Sequence, residues 1–332
     1  MFTPRAILFN EHIRCIDVHH HYFPLDLDKE NSNVNVGFKT PAENLPWFPE
    51  ISMRAMDTMH IDFSILSFPA ISNGCVSQEN RAITRGRNEF AADVCRRYPH
   101  KFGFFTTLPF LDDIEGSIAE AIYGLDSLTA YGVSISSCYG VGPAAKYIGD
   151  ECYYPIWAEL NKRKAVVFLH GSQVPSSTPY PHPFLGIPIT EVPNETFKAA
   201  AHLVVTGHRR KFPNVKIILA HLGGSAPFLA TRAAVLSNYM GCTLTPEEIL
   251  TDFKSFYYET ALSASELTLT AMKTFAQEDR ILFGTDFPAV SKDTVSCFTK
   301  NIEKYYENDN KRLESIMGGN AKMMFLASIG AE

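Results

Sequence analysis

The sequence lacks several features that would place the chain in a special class. It has no apolar run as long as the roughly 18 residues that a transmembrane helix needs, and its N-terminus is too polar for a signal peptide. The seven cysteines form no Cys-x-x-Cys pair, which favours reduced thiols over a disulfide framework. There is no run of like charges, and a formal net charge of -6 gives no argument for nucleic acid. These absences predict a cytoplasmic protein that contacts neither membrane nor nucleic acid.

The composition is that of an ordinary globular protein. The chain has 332 residues, of which 45% are hydrophobic and 20% are charged, so it is long enough to bury a large core. Length alone allows two domains, but an α/β barrel of this size is commonly one. We therefore expect residues 1–332 to form a single domain.

Short apolar segments alternate with helical patterns along the whole chain. The predicted strands cover residues 13–18, 63–68, 102–108, 132–136, 165–170, 216–221, 256–260 and 280–286. Eight strands that alternate with helices predict parallel βα units and an α/β (β/α)8 TIM barrel, with its site at the carboxyl ends of the strands. The sequence also predicts a loop insertion at 24–50 after strand one, a second long loop at 171–193, and two C-terminal helices.

A histidine cluster follows the first predicted strand. Side chains two residues apart on a strand point to the same face, so His19 and His21 should share one face while His20 points away. Neutral imidazole is the commonest metal ligand in proteins. Two imidazoles on one face make half a metal site, and the other half must come from elsewhere in the chain.

Three further strands end in residues of the same chemical kind. His170 ends strand five, His221 ends strand six and Asp286 ends strand eight. Each lone residue of this kind is more often structural, but a barrel would bring all of them to one mouth. Histidine with carboxylate, and without cysteine, suits a divalent metal, with Zn²⁺ first and Mn²⁺, Fe²⁺ or Co²⁺ as alternatives.

Over nearly its whole length the chain resembles the amidohydrolase superfamily, in the branch around aminocarboxymuconate-semialdehyde decarboxylase. The resemblance depends on the stretches IDVHHHYFP, RAMDTMHID, RYPHKFGFFTTLP, VVFLHGS, GIPITEVPNETF, FPNVKIILAHLGGSAPFLATR and ILFGTDFP, in that order. It implies a single metal held by His19, His21, His170 and Asp286, with His221 as the acid/base partner. It also implies that Arg54 grips a substrate carboxylate and that Arg232 is contributed across a homodimer interface.

One departure from that branch suggests a different pocket. Gly171 and Ser172 stand where the semialdehyde decarboxylase has proline and tryptophan, and the serine- and proline-rich loop at 172–188 is more similar to fungal 6-methylsalicylate decarboxylases. The resemblance then implies a carboxy-lyase that converts an ortho-hydroxy aromatic acid, 6-methylsalicylate, to m-cresol and CO₂. Phe23, Trp47, Phe68 and Phe287 are expected to be aromatic walls of its pocket, with packing of the loops as the alternative for each.

Alternatives remain open on the sequence alone. The proton for the ring carbon could come from Asp286 or from His221. A metal-dependent hydrolase of an amide, ester or lactone would use the same residues to activate water. A barrel that binds a ligand without turnover is the third possibility.

Overall fold

Eight parallel strands form the central sheet of the computed structural model, which describes residues 10, 12–70, 74–173 and 180–329. In chain order the strands are β1 (Ile16–His21), β2 (Phe63–Ser67), β3 (Phe102–Thr107), β4 (Gly132–Ser136), β5 (Cys138–Tyr139), β6 (Lys146–Tyr147), β7 (Val166–His170), β8 (Lys216–Leu219), β9 (Tyr257–Glu259) and β10 (Ile281–Leu282). The sheet order is β1-β2-β3-β4-β7-β8-β9-β10, and β5 and β6 pair separately as an antiparallel ribbon. The predicted α/β TIM barrel is therefore confirmed.

Helices follow the strands and surround the barrel. They are α1 (Lys29–Val36), α2 (Pro49–Met59), α3 (Gln78–Arg97), α4 (Ile114–Ile122), α5 (Tyr154–Lys162), α6 (Ile187–Val205), α7 (His208–Lys211), α8 (Ala226–Tyr239), α9 (Pro246–Phe253), α10 (Glu266–Phe275), α11 (Lys292–Tyr305), α12 (Asn310–Glu314) and α13 (Asn320–Ile329). None of those in the described ranges is long and apolar enough to cross a membrane.

Backbone hydrogen bonds between the segment after β10 and β1 close the barrel. The N–H of Val18 donates to the carbonyl of Phe283 (3.0 Å), and the N–H of His21 donates to that of Phe287 (2.7 Å). The N–H of Asp286 in turn donates to the carbonyl of His19 (2.8 Å). Predicted strand eight, 280–286, is thus a regular strand only at Ile281–Leu282. The residues after Leu282 hydrogen-bond to β1 without continuing the regular strand conformation.

Two predicted loops contain helices that the sequence pattern did not reveal. α1 lies in the asparagine-rich stretch after β1, where the Asp28 side chain accepts from the N–H of Asn31 and Gly37 ends the helix at φ 65°. These two caps satisfy the ends of a helix that has little apolar periodicity. α6 begins at Ile187 and runs through Pro193, whereas the proline-rich pattern predicted a loop as far as 193.

Candidate active site

Five side chains meet at the carboxyl end of the barrel. His19 Nε2 lies 3.1 Å from His21 Nε2 and 3.5 Å from Asp286 Oδ1, and His21 Nε2 lies 3.1 Å from the same carboxylate oxygen. The ring centroids of His170 and His221 lie 5.1 and 5.0 Å from that of His19. The side chains form two groups that share His19, namely His19–His21–Asp286 and His19–His170–His221. Within each group the three donor atoms lie within 4.8 Å of one another, which is close enough to bind one ion.

Hydrogen bonds to the Nδ1 atoms fix the tautomers of the four imidazoles. Nδ1 of His21, His170 and His221 faces the carbonyl oxygens of Ser67 (3.2 Å), Gly171 (2.9 Å) and Ala261 (3.1 Å), respectively. Since a carbonyl only accepts, each Nδ1 carries the proton and each Nε2 presents a lone pair.

Glu259 completes this pattern for the fourth imidazole. Its Oε1 lies 2.8 Å from His19 Nδ1 and also accepts from the N–H of His221 (2.6 Å), while its Oε2 accepts from the N–H of Ala261 (2.7 Å). With Nδ1 so occupied, His19 also directs the lone pair of Nε2 at the others. Lone pairs only 3.1 Å apart repel unless a cation lies between them, so this donor set fits a divalent metal.

Sequence reasoning did not single out Glu259. Its signal was present, because it follows the apolar run Phe256–Tyr258 as His170 follows its own strand. The backbone around it is adapted to its position. A Cβ on Gly284 would lie 2.1 Å from Glu259 Oε2 and 2.9 Å from the His19 Cβ, so only glycine allows this approach.

The protonation states of the cluster are those that a metal requires. Burial lowers the pKa of His19 and of His170 well below the ordinary range, and neighbouring imidazoles lower that of His170 further, so both rings are neutral. Burial opposes ionisation of Asp286, but the surrounding histidines hold the pKa of its carboxyl below the usual range. Burial raises the pKa of Glu259 to about 7, against the hydrogen bonds that favour its charged form. Neutral imidazoles around an ionised carboxylate form a ready ligand set.

Two members of the cluster have left-handed backbone conformations. His221 has φ 57° and Asp286 has φ 63°. Side chains other than glycine seldom adopt this region, and it costs free energy that the surrounding contacts must supply. Both residues follow the last strand residues of β8 and β10, so this turn directs their side chains back over the barrel mouth.

The cluster forms the floor of a cavity of about 300 Å³. His21, His170, His221 and Asp286 contribute the polar floor. The walls are mostly apolar and come from separate elements: Phe23, Phe38, Pro69, Ala70, Pro188, Ile189, Val192, Pro193, Leu262, Ala289, Val290 and Phe298. Lys29, Gln173, Ser263 and Thr294 complete the lining of the described residues. A cavity of this size and polarity suits a small ligand with one polar edge.

The two predicted arginines do not enter this cavity. Arg54 is exposed on α2, because the face of that helix that carries Ser52, Ala55 and Met56 is the buried one. Arg232 is exposed on α8 and lines a separate surface hollow. Arg54 is therefore not among the described residues that line the cavity of the single chain, and Arg232 could reach a site only in another chain.

Of the four predicted aromatic walls, Phe23 is among the described residues that line the cavity, and the other three are not. Trp47 is 2% exposed, and its Nε1 donates to Ser52 Oγ (3.0 Å) under α2. Phe68 packs against Tyr22, with ring centroids 5.8 Å apart, and against the Arg87 guanidinium. Phe287 packs against His20 on the outside of the barrel, with ring centroids 5.4 Å apart. These contacts hold all three rings in the packing around the cavity.

Comparisons with known proteins agree with this geometry. A family model described as amidohydrolase matches residues 16–326. The chain is 35% identical to a 6-methylsalicylic acid decarboxylase of Penicillium expansum, with 87% of this chain and 90% of that protein covered. It is 36% identical to a 6-methylsalicylic acid decarboxylase of Aspergillus aculeatus, with 87% and 88% covered. A dihydroxybenzoic acid decarboxylase from Polaromonas sp., solved with manganese and the inhibitor 2-nitroresorcinol, has the same fold at a TM-score of 0.79 and 23% identity, with 94% and 96% covered.

Proposed function

This chain belongs to the amidohydrolase family, and on that basis we propose that it is a metal-dependent, non-oxidative decarboxylase of a small ortho-hydroxy aromatic acid. The first candidate substrate is 6-methylsalicylate, which gives m-cresol and CO₂ when the carboxyl group is replaced by a proton. The observation that carries the proposal is that His21, His170, His221 and Asp286 line the floor of a small, mostly apolar cavity. The relatives named 6-methylsalicylic acid decarboxylase support this substrate.

For the metal we propose one divalent ion per chain, held by His19, His21, His170 and Asp286. Two donor groups that share His19, one with His21 and Asp286 and the other with His170 and His221, support a metal at this place. The choice of His170 and not His221 from the second group follows the family resemblance. When bound, such an ion supplies Lewis acidity to the carboxylate and to the neighbouring hydroxyl oxygen of the substrate. Zn²⁺ remains our first choice from the donor types, and the manganese in the Polaromonas enzyme supports Mn²⁺ as the second.

The chain offers two groups for proton delivery to the ring carbon. Nδ1 of His221 is bound to the carbonyl of Ala261, so its Nε2 is the nitrogen available for the reaction. Asp286 lines the same floor, and its side chain is 12% exposed against 0% for that of His19. We propose that one of these two takes up a proton from solvent and passes it to the ring carbon that loses CO₂. Each lines the cavity, and a general acid must lie within hydrogen-bond reach of the reacting atom, directly or through one water.

For the assembly we propose a homodimer formed through α8. Six apolar side chains are exposed in the single chain, five on this helix and the sixth, Met240, directly after it: Phe228, Leu229, Val235, Leu236, Tyr239 and Met240. Arg232 lines a hollow with three of them, Leu229, Leu236 and Met240. An exposed patch of this kind on one helix supports a protein interface, and a two-fold contact would bring Arg232 to the partner.

Mixing two inactive variants tests whether Arg232 acts in trans. Chains with Arg232→Ala and chains with His170→Ala should both be inactive as homodimers. After unfolding and joint refolding, half of the dimers are hybrids and each hybrid has one intact site, so up to about a quarter of wild-type activity should return. Recovery of no activity, with hybrids shown by mass, would refute a role in trans.

The substrate proposal is tested with a panel of hydroxybenzoates. Purified protein loaded with Zn²⁺ or Mn²⁺ should release CO₂ from 6-methylsalicylate and form m-cresol. In D₂O the product should carry one deuterium on the ring, at the carbon that lost the carboxyl group. The 3-hydroxy and 4-hydroxy benzoates, which have no ortho hydroxyl, should react far more slowly.

The panel also includes lactones, esters and amides. Hydrolysis of any of these with no CO₂ from a hydroxybenzoate would replace the decarboxylase proposal by a hydrolase. The His170→Ala variant is the control, because activity that survives in it does not come from the site described.

A further inference from the structure

Lys29 is a buried cation that the functions proposed so far leave unused. It is the first residue of α1, and its side chain is 7% exposed. Its Nζ lies 5.1 Å from the ring centroid of Phe23, and the Phe23 ring stacks on the His21 ring with centroids 6.4 Å apart. A layer of three side chains thus leads from this ammonium to the cluster, and all three line the cavity.

This ammonium has no direct partner of opposite charge among the described residues. Within the described residues, Lys29 Nζ makes no ion pair and no hydrogen bond to a protein acceptor, whereas its neighbour Asp28 is occupied as the cap of α1. The nearby π face of Phe23 is a weak partner, and the start of a helix is the end that repels a cation. Burial lowers the pKa of Lys29, and attraction to Asp286 only partly opposes this effect. A buried ammonium in such a place is stabilised strongly by any anion that can reach it.

The cavity has no other fixed positive charge in the part of the chain that the structure describes. Lys29 is the one lysine or arginine among its lining residues there. The other described walls are apolar or neutral, so they would hold the aromatic ring of a ligand by packing. An anionic group on the same ligand would have Lys29 as its one protein cation among the described lining residues.

We propose that the ammonium of Lys29 binds the carboxylate of the aromatic acid in this cavity, an assignment that rests on the proposed decarboxylase function. Lys29 then takes the positioning role that the sequence predicted for Arg54. A lysine acts as a point charge without the fork geometry of arginine, so it fixes where the carboxylate lies and leaves its plane to be set by the ring and the cluster.

Ligand binding to the Zn²⁺-loaded protein separates this role from a structural one. Three probes differ in one group each: salicylate has the carboxylate and hydroxyl, benzoate lacks the hydroxyl, and salicylamide lacks the charge. Lys29→Met, which keeps the length of the side chain, should bind salicylate and benzoate about 10- to 100-fold more weakly, the range expected for loss of a charge-assisted hydrogen bond. Its affinity for salicylamide should stay within a factor of about 2 of wild type.

Exposed Lys39, next to the lining residue Phe38, provides the matched control. Lys39→Met should match wild type with all three probes. Without ligand, Lys29→Met should melt at a higher temperature than wild type because it no longer buries an unpaired charge, and Lys39→Met should melt as wild type does. Lys29→Arg should recover part of the lost salicylate affinity.

The outcomes distinguish this inference from the proposed function. If wild type decarboxylates 6-methylsalicylate and Lys29→Met keeps the wild-type KM and salicylate affinity, the inference on Lys29 is wrong and the function stands. Equal weakening of salicylate and salicylamide would also overturn it, since the loss would not depend on charge. If wild type releases no CO₂ from any hydroxybenzoate, the function fails, whereas the binding comparison still shows whether Lys29 recognises carboxylates.

Discussion

The two faces of β1 carry the same side chain in opposite roles. On the inner face, His19 and His21 each have Nδ1 satisfied and Nε2 directed at other donors. On the outer face, His20 has both nitrogens satisfied, by Asp17 Oδ2 (2.9 Å) and by Ser52 Oγ (2.8 Å). The three consecutive buried histidines therefore have two different environments. Only on the inner face do imidazole nitrogens keep a lone pair that accepts no hydrogen bond from a protein group.

The difference shows that partners, and not residue type or burial, separate a ligand from a structural histidine. All three residues are at most 4% exposed. The register of β1 against β2 shifts between Asp17 and His20, which places Asp17 beside His20 on the outer face. Strand irregularities of this kind near a site redirect side chains. Here the shift gives the outer histidine a carboxylate of its own.

Removal of an inner donor should have the largest effect. His170→Ala deletes one converging lone pair without touching either face of β1, so the variant should bind no metal after desalting and its activity should fall to background, even with excess Zn²⁺. Metal analysis and CO₂ release measure both. A variant that retains one metal per chain would show that His170 is not a ligand.

The second effect concerns His221, whose donor atom lies within 4.8 Å of those of His19 and His170. We expect it to act in chemistry more than in metal retention. His221→Ala should keep close to one metal per chain while kcat falls by about 10² or more, on the scale of general acid-base catalysis. Simultaneous loss of metal and activity would make His221 a fifth inner donor.

Substitution of Glu259 tests how far metal binding by His19 depends on the hydrogen bond that its Nδ1 makes to this carboxylate. Glu259→Gln cannot accept from both His19 Nδ1 and the two backbone N–H groups equally well, so metal affinity should fall by about 10- to 100-fold. Competition with a chelator measures it. Exposed Glu266, at the start of α10, gives the matched control Glu266→Gln, which should bind metal as wild type does.

The smallest effect on activity is expected from the outer face. His20→Ala leaves a buried Asp17 oxygen and the Ser52 hydroxyl short of one partner each, so the free energy of unfolding should fall by about 1–3 kcal/mol. Metal content should stay near one per chain. Denaturant unfolding and metal analysis measure the two quantities. Loss of metal with unchanged stability would show that the outer histidine is a ligand and not a structural residue.

Much of the fold could be predicted because burial leaves a direct trace in the sequence. Parallel strands covered on both sides are short apolar runs, and eight of them were recognised in order. The helices α1 and the start of α6 were missed for the opposite reason. α1 depends on caps at Asp28 and Gly37, and α6 continues through Pro193, so neither shows the periodicity on which prediction relies.

The pocket was harder to predict than the cluster. Strand ends point to the barrel mouth by rule, and the structure brings all five predicted side chains together there. Loop and helix residues follow no such rule. Trp47 and Phe68 are buried in packing, and Lys29 enters the cavity from a helix that the sequence pattern did not show.

The sequence by itself determined the parallel barrel and the donors at its mouth, because strand burial and the two-residue alternation are local properties of the chain. Only the tertiary structure decided which imidazole nitrogens are free, since their hydrogen-bond partners, such as Glu259 for His19, lie up to 240 residues away. It also decided which cation faces the cavity. A charged side chain looks the same in sequence whether it is exposed to water, as Arg54 is, or buried at the wall of a mostly apolar cavity, as Lys29 is. That difference is one of desolvation, and it exists only after the chain has folded.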